Sequence, residues 1–277
     1  MLPLLPAFTS TPALDAVYHL DLFDLCAAMQ PGSVDMILCD LPYQVHEAAW
    51  DTIIPIVPMW EAFKRVIKPR GAIVLTCVMR FAWQLIALNP DWFKYDMVGI
   101  KNSATDFLNA HNKPMRAHEN ILVFSDGTTA NGSLNRMNYY PQMATAPRRI
   151  DRRQSQNRKG EAFGAKGRKW TGEARTHDNE CLTFPTTILQ MKTANIEGNL
   201  HPNQKDVDLF RYLIRTYART GELVFDPCVG SGTTAIAARE ENRRYIVGDS
   251  SAEYVEVARR RLAQPWTPSF MHLLDSA

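Results

Sequence analysis

The sequence predicts an α/β fold with a parallel or mostly parallel sheet and one polar insertion. Three observations carry that reading. Short β-rich runs alternate with helical patterns from about residue 16 to 125; the alternation breaks over residues 127–193; and it resumes with a strand, a glycine turn and a helix.

The elements follow in order. "AVYHL" (16–20) reads as a strand ending at Asp21, "LFDLCAAM" as a short helix, "PGS" as a turn and "VDMILC" as a buried strand. Residues 56–67 place apolar side chains at helical spacing, and "GAIVLTC" (71–77) is a glycine-opened strand. "RFAWQLIAL" is helical, and "KYDMVGI" and "ENILVFS" are strands. Residues 127–193 are polar, rich in Gly, Asn, Arg and Thr, with Tyr139, Tyr140, Phe163, Trp170 and Phe184 interleaved. A helix is then predicted over 202–218, with Pro202 near its first turn. "ELVFD" is a strand, "GTTAIAAREE" a helix, "RRYIVGD" a strand and "AEYVEVARRRL" a terminal helix.

The 277 residues suit one large domain, or a core domain with an insertion, and 45% hydrophobic content is a globular composition. No apolar run has the length of a membrane span, and the N-terminus lacks the basic start of a signal peptide. Five cysteines without a CxxC pair argue against structural zinc and point to a reducing, cytoplasmic setting. His118–Glu119 has no second histidine at i+4, so no metal site is expected there. Net charge is +2, but residues 148–175 carry ten bases against three acids, a local +7 on a body of −5. Such an island suits a polyanion partner, or a solvated loop.

"LVFDPCVGSGTTAIAA" has the form strand, tight turn, helix. Gly230 and Gly232 allow close backbone approach, and Thr233 opens a helix whose N–H groups are free. "GSGTTA" also matches a dinucleotide fingerprint, with Asp249 at ribose distance, so a nicotinamide-dependent oxidoreductase is the rival. Against it, "DPCV" intervenes after Phe225, and Asp226 would repel a pyrophosphate. An acid there suits a ligand with an ammonium and a sulfonium, as in S-adenosylmethionine. Cys228 sits beside the helix start with no histidine near it in sequence and reads as packing.

Taken together, "DLPY" (40–43), "HPNQKDVDLFRYLI", "DPCVGSGTT" and "GDSSAEYVEVARRRL" resemble the β-class amino-methyltransferases of DNA, the N4/N6 group. "DFLNAHNKPMRAHENILVF" and "YYPQM" resemble further parts of that family, in its order, and the resemblance covers most of residues 16–263. Two positions depart from the family pattern: Leu41 stands where proline is usual, and Cys228 where phenylalanine is usual.

The resemblance implies a Rossmann-like S-adenosylmethionine methyltransferase fold, circularly permuted. Residues 1–126 would be its catalytic half, 127–193 a target-recognition insertion and 194–277 its cofactor half. In that arrangement the strand before the glycine turn is first, the one ending at Asp249 second, "AVYHL" third and the one ending at Asp40 fourth, so that four acids ring one crevice. Asp40, Leu41 (through its carbonyl), Pro42 and Tyr43 would be catalytic, with Tyr43 stacking on a flipped base. Asp21, His201, Lys205, Phe225, Asp226, Pro227, Gly230, Gly232, Thr233 and Asp249 would hold the cofactor. The implied reaction moves a methyl group to the exocyclic amine of a base in double-stranded DNA, adenine N6 or cytosine N4, the Asp-first motif favouring adenine. The implied partners also include a second copy of the chain and a cognate restriction endonuclease. Trp50 and Asp51 follow the catalytic motif in a loop that contacts either DNA or the core.

Overall fold

A computed structural model describes residues 11–42, 54–147, 180–191 and 205–265. Contacts divide the chain into two units, residues 1–140 with 187–277, and residues 141–186. In the first unit the elements run β1 (Ala16–His19), α1 (Leu22–Ala28), β2 (Val34–Asp40), α2 (Ile56–Val66), β3 (Ile67–Cys77), α3 (Met79–Ala87), β4 (Phe93–Thr105) and β5 (Arg116–Phe124). In the second unit lie β6 (Ala144–Pro147) and β7 (Glu180–Thr183), an antiparallel pair in register Ala144↔Thr183 to Pro147↔Glu180. The first unit resumes with β8 (Ile188–Met191), α4 (Val207–Tyr217), β9 (Leu223–Asp226), α5 (Thr233–Glu240), β10 (Arg244–Asp249) and α6 (Ala252–Ala263).

Eight strands form one sheet in the order β1-β10-β9-β2-β3-β5-β4-β8. All run parallel except β5, which is antiparallel to both of its neighbours. The expected permuted order is observed: third, second, first and fourth strands are β1, β10, β9 and β2. The order reverses between β9 and β2, where consecutive crossovers leave to opposite sides and open a crevice at the strands' carboxyl ends.

Side chains alternate across a strand, so each buried strand feeds two cores. Met36, Leu38, Val74, Val123, Val224 and Val247 pack on one face, with α4, α5 and α6. Ile37, Cys39, Ile73, Leu75, Phe124, Phe225 and Ile246 pack on the other, with α1, α2 and α3. Helix α4 is amphipathic, with Leu209, Phe210, Leu213, Ile214 and Tyr217 buried at helical spacing. Its N-cap is Asp206, whose carboxylate accepts from the Asp208 N–H at 2.9 Å, so the helix starts after the expected Pro202, which lies outside the described residues. Tyr217 meets the Tyr95 hydroxyl at 2.9 Å, tying α4 to β4.

Three elements differ from the sequence expectation. Strand β3 begins at Ile67, through Pro69 and Arg70, the latter at φ 65°. Strands β4 and β5 extend past the sheet into a polar two-stranded arm, paired as far as Thr105↔Arg116. Both ends of the 127–193 segment join the first unit. Met137 is buried in the core, the Tyr140 N–H bonds the Thr216 carbonyl at 2.8 Å, and β8 adds an edge strand beside β4.

Candidate active site

The alternation that builds the two cores also aims the polar side chains. Asp40 continues the face of Met36 and Leu38, Asp226 that of Val224, and Asp249 that of Tyr245 and Val247. The same parity brings Thr76, Glu119 and Lys101 to this face, because Val74, Ile121 and Met97 pack there. A one-residue slip in any of these strands would turn its polar group into the opposite core.

At the glycine turn, β9 ends at Asp226, which is 2% exposed. Its carboxylate accepts from the Cys228 N–H at 3.0 Å and the Thr234 hydroxyl at 2.5 Å, and burial pushes its pKa up to about 7 despite those donors. Gly230 lies at φ 51° and donates its N–H to Asp249 at 2.9 Å, while Ser251 N–H donates to the other Asp249 oxygen at 2.9 Å. Burial raises the Asp249 pKa, and the two N–H bonds oppose that shift. Gly232, at φ 89°, is the N-cap of α5. The two glycines are constrained differently. A Cβ on Gly232 would meet the Ala258 Cβ at 2.9 Å, whereas a Cβ on Gly230 would have no atom within 4 Å. Gly232 therefore serves packing of α5 on α6, and Gly230 presents open backbone on the crevice side. Thr233 is buried behind the turn, and Arg261 reaches the Ser231 carbonyl at 2.6 Å from α6.

At the end of β2, Asp40 joins a chain of charges. The Thr76 hydroxyl donates to its Oδ1 at 2.5 Å, and Lys205 Nζ lies 3.2 Å from the same oxygen. Lys205 also bonds Glu119 Oε2 at 2.8 Å, and Lys101 bonds Glu119 Oε1 at 2.7 Å. Two cations thus alternate with two carboxylates among largely buried side chains. Burial raises the Asp40 pKa, with Lys205 pulling the other way. Burial also pushes Glu119 upward, but Lys205 and Lys101 outweigh it and hold its carboxyl at about 2. Among the described residues both Asp40 contacts fall on Oδ1, which leaves Oδ2 as an acceptor.

The structure therefore brings together most of the residues singled out in the sequence, with some shifts of setting. Lys205, expected among the cofactor residues, bonds Asp40 and Glu119. Leu41 is 1% exposed, its side chain packs in the core, and its backbone keeps the carbonyl that a proline would also offer. Phe225 and Pro227 are buried, and Phe225 is wholly a core side chain. Asp21 caps α1 through a 2.8 Å bond from the Asp24 N–H. Pro42 is half-buried. Tyr43, His201, Trp50 and Asp51 lie outside the described residues. Cys228 is hydrogen-bonded with Cys39, which lowers its pKa, but burial and the surrounding carboxylates leave it raised, as fits a packing thiol. Sequence reasoning missed Thr76, Glu119 and Lys101. Strand parity relative to Val74, Ile121 and Met97 is the signal that finds them. Among the described residues no helix is long and apolar enough to cross a membrane, and no group of three or more His, Cys, Asp and Glu side chains is placed to hold a metal.

Asp40 at one strand end and the glycine turn on the adjacent strand flank one crevice at the sheet's carboxyl edge. The comparisons agree with that geometry. Residues 34–260 match the N6/N4 family described as DNA methylase. The Type II methyltransferase M2.DpnII of Streptococcus pneumoniae is 24% identical over 269 residues, covering 88% of each chain. The Type II methyltransferase M1.MboII of Moraxella bovis is 23% identical, covering 91% of this chain and 97% of its own. Among solved structures, an M1.HpyAVI–SAM complex superposes with TM-score 0.58 at 20% identity over 90% of this chain and 99% of the other. The cytosine-N4-specific PvuII DNA methyltransferase superposes at 0.63 and 15% identity, over 96% and 92%. The nicotinamide reading of "GSGTTA" finds no support in these matches, and a buried Asp226 immediately before the turn is a physical reason against a pyrophosphate there. With its fold, its crevice and 227 of its residues matched, this chain belongs to the N6/N4 family of DNA methylases.

Proposed function

We propose that the protein transfers a methyl group from S-adenosylmethionine to the exocyclic amine of a base flipped out of double-stranded DNA, and that this amine is adenine N6. The observation that carries the reading is Asp40. Its Oδ1 is fixed by Thr76 and Lys205 while, among the described residues, Oδ2 stays open, one strand from the glycine turn.

The residues at the turn fit the cofactor. Gly230 offers open backbone, and Asp249 retains lone pairs for a ribose beyond its two N–H bonds. Asp226 is an acid suited to a cationic ligand. When bound, S-adenosylmethionine supplies an electrophilic methyl on sulfonium. The protein's own part is to prepare the amine, whose lone pair is delocalised into the base. Asp40 Oδ2 accepts one amine hydrogen and the Leu41 carbonyl accepts the other, which favours a pyramidal nitrogen. Because burial raises the Asp40 pKa, its carboxylate is also suited to take the proton that the methylated amine must lose. Tyr43 stacks on the base and Pro42 stiffens the turn. Asp21 and His201 complete the cofactor site in this reading. Lys205 supports Asp40 rather than the cofactor.

The segment 127–193 is assigned to target recognition between a catalytic half (1–126) and a cofactor half (194–277). What supports it is the +7 charge of residues 148–175, suited to phosphates. Replacing Arg148, Arg149, Arg152 and Arg153 together should flatten the salt dependence of DNA binding and spare cofactor binding. A second copy of the chain and a cognate endonuclease remain partners of the proposal, tested by solution mass and by mapping the methylated sequence. The chemistry is tested by incubating unmethylated genomic DNA with protein and cofactor, digesting to nucleosides and weighing the products. N6-methyl-2′-deoxyadenosine is expected. N4-methyl-2′-deoxycytidine would correct the base, and finding neither product would overturn the reading.

A further inference from the structure

The arm made by β4 and β5 has no role in the chemistry above, yet it carries an unusual tip. Phe107 and Leu108 are adjacent, and they are 70% and 81% exposed. Single exposed apolar residues are ordinary, but two large neighbours held out on a braced turn are not. The brace is polar. Asp106 takes the left-handed conformation at φ 75° and accepts from Asn109 Nδ2 at 2.7 Å and from Lys113 Nζ at 2.5 Å. The Asn109 and Ala110 N–H groups close the turn onto the Asp106 and Phe107 carbonyls. The two apolar side chains are therefore presented rather than merely loose.

The sheet register says where this tip lies. Asp40 is level with Thr76, Thr76 with Ile121, and Ile121 with Met97. Strand β5 reaches back from Ile121 to Arg116, five residues, which carries the arm up to about 17 Å beyond the level of Asp40. It stands two strands to the side, roughly 10 Å. That is the carboxyl edge of the sheet, the side on which Asp40 and the glycine turn lie and where the proposed reaction would receive its base. Lys113 and Arg116 flank the tip against the single acid Asp106, with His111 and His118 nearby, a local charge suited to phosphates. At its root the arm carries Lys101 and Glu119, which connect through Lys205 to Asp40.

The geometry points to the β4–β5 arm as a wedge: Phe107 and Leu108 enter the duplex and fill the gap that the extruded base leaves, while Lys113 and Arg116 hold the backbone. Apolar side chains inserted between base steps offset the unstacking that extrusion requires. The inference rests on the proposed methyl transfer to a flipped base.

The test uses the full chain, sheared unmethylated genomic DNA and S-adenosylmethionine labelled in its methyl group. In one arm a benzophenone side chain is placed at position 107 or, as control, at Leu134, which is 97% exposed beyond the opposite edge of the sheet. Irradiation should cross-link DNA from position 107 and not from 134. In the other arm, Phe107→Ala with Leu108→Ala should lower methyl transfer to duplex about tenfold or more, the scale of losing a base–aromatic contact. Cofactor affinity and melting temperature should not move, and Phe107→Trp should keep the parent rate. An alanine pair within about twofold of the parent, where a lost stacking contact costs more, would overturn the wedge, with or without cross-linking. So would rate loss without preferential cross-linking at 107, or rate loss together with lost cofactor affinity. A parent protein that transfers no methyl to any DNA would instead overturn the proposed function, which separates the two failures.

Discussion

The acids on either side of the crevice are held in different ways. Asp226 and Asp249 are bound by neutral donors, Cys228, Thr234, Gly230 and Ser251, with the Cys39 thiol also bonded to Asp226. Asp40 is bound by the Thr76 hydroxyl and by a chain of full charges drawn from distant segments, with Lys205 and Glu119 separated by 86 positions. The first arrangement fixes the shape of a turn. The second sets the electrostatics around one oxygen, and removal of a link should disturb it. A binding turn needs shape, whereas an acceptor for a reacting amine needs a defined charge.

Breaking the ionic side should have the largest effect. Lys205→Met removes the cation shared by Asp40 and Glu119 and leaves two carboxylates facing one another. Stability should fall by about 3 kcal/mol, the scale of breaking a buried pair. Methyl transfer should fall with it, and its pH–rate profile should move to higher pH, because Lys205 is what lowers the Asp40 pKa. Thermal melting and rate profiles check this. A variant with unaltered melting and profile would mean that the chain of charges has no function.

The neutral side divides by glycine. Gly232→Ala places a methyl group 2.9 Å from Ala258 in a left-handed conformation, and should cost roughly 1–3 kcal/mol of stability. Gly230→Ala shares the left-handed strain, at φ 51°, but meets no described atom within 4 Å, so it should cost less, about 1 kcal/mol, and should mainly weaken cofactor binding. Calorimetry of both variants distinguishes them, and equal melting losses would contradict the division.

The pH responses of the two sides have opposite sign. The Glu119 carboxyl, lowered from 4.5 to about 2, contributes stability that is present above 4.5 and is lost as pH falls through about 2. Asp226, raised to about 7, works the other way. Its contribution is full below its ordinary range of about 4 and is lost as pH rises through about 7. A cationic ligand favours the Asp226 carboxylate, so cofactor affinity should rise modestly across pH 6–8, a window set by that value of about 7. Asp226→Asn should abolish that slope. Titrations at several pH values measure it, and an unchanged slope in the variant would show that another group titrates.

Much of this was legible from the chain alone. The strands ending at Asp40 and Asp249 are marked by short continuous apolar runs and the turn by Gly230 and Gly232, and their permuted order is that observed. The ionic chain was not legible. Glu119 appears in sequence only beside His118, and its link to Lys205 depends on the register of β5 against β3. The extension of β4 and β5 was missed for a related reason: "NSAT" and "RAH" bury almost nothing, so backbone pairing forms the arm without leaving an apolar pattern. Strand β8 is an edge strand of four residues inside a polar segment, too short to register as a period.

The central claim is that Asp40 serves the target amine and the glycine turn serves the cofactor. Isothermal titration of S-adenosylmethionine into the Asp40→Ala and Asp226→Ala proteins, each also assayed for methyl transfer to genomic DNA, tests it most directly. Asp40→Ala should bind the cofactor as the parent does and lose transfer by about a thousandfold, the upper scale for removing a preorganised group at a reacting centre. Asp226→Ala should lose cofactor affinity first. Equal loss of cofactor affinity in the two variants, or transfer surviving in Asp40→Ala, would contradict the account.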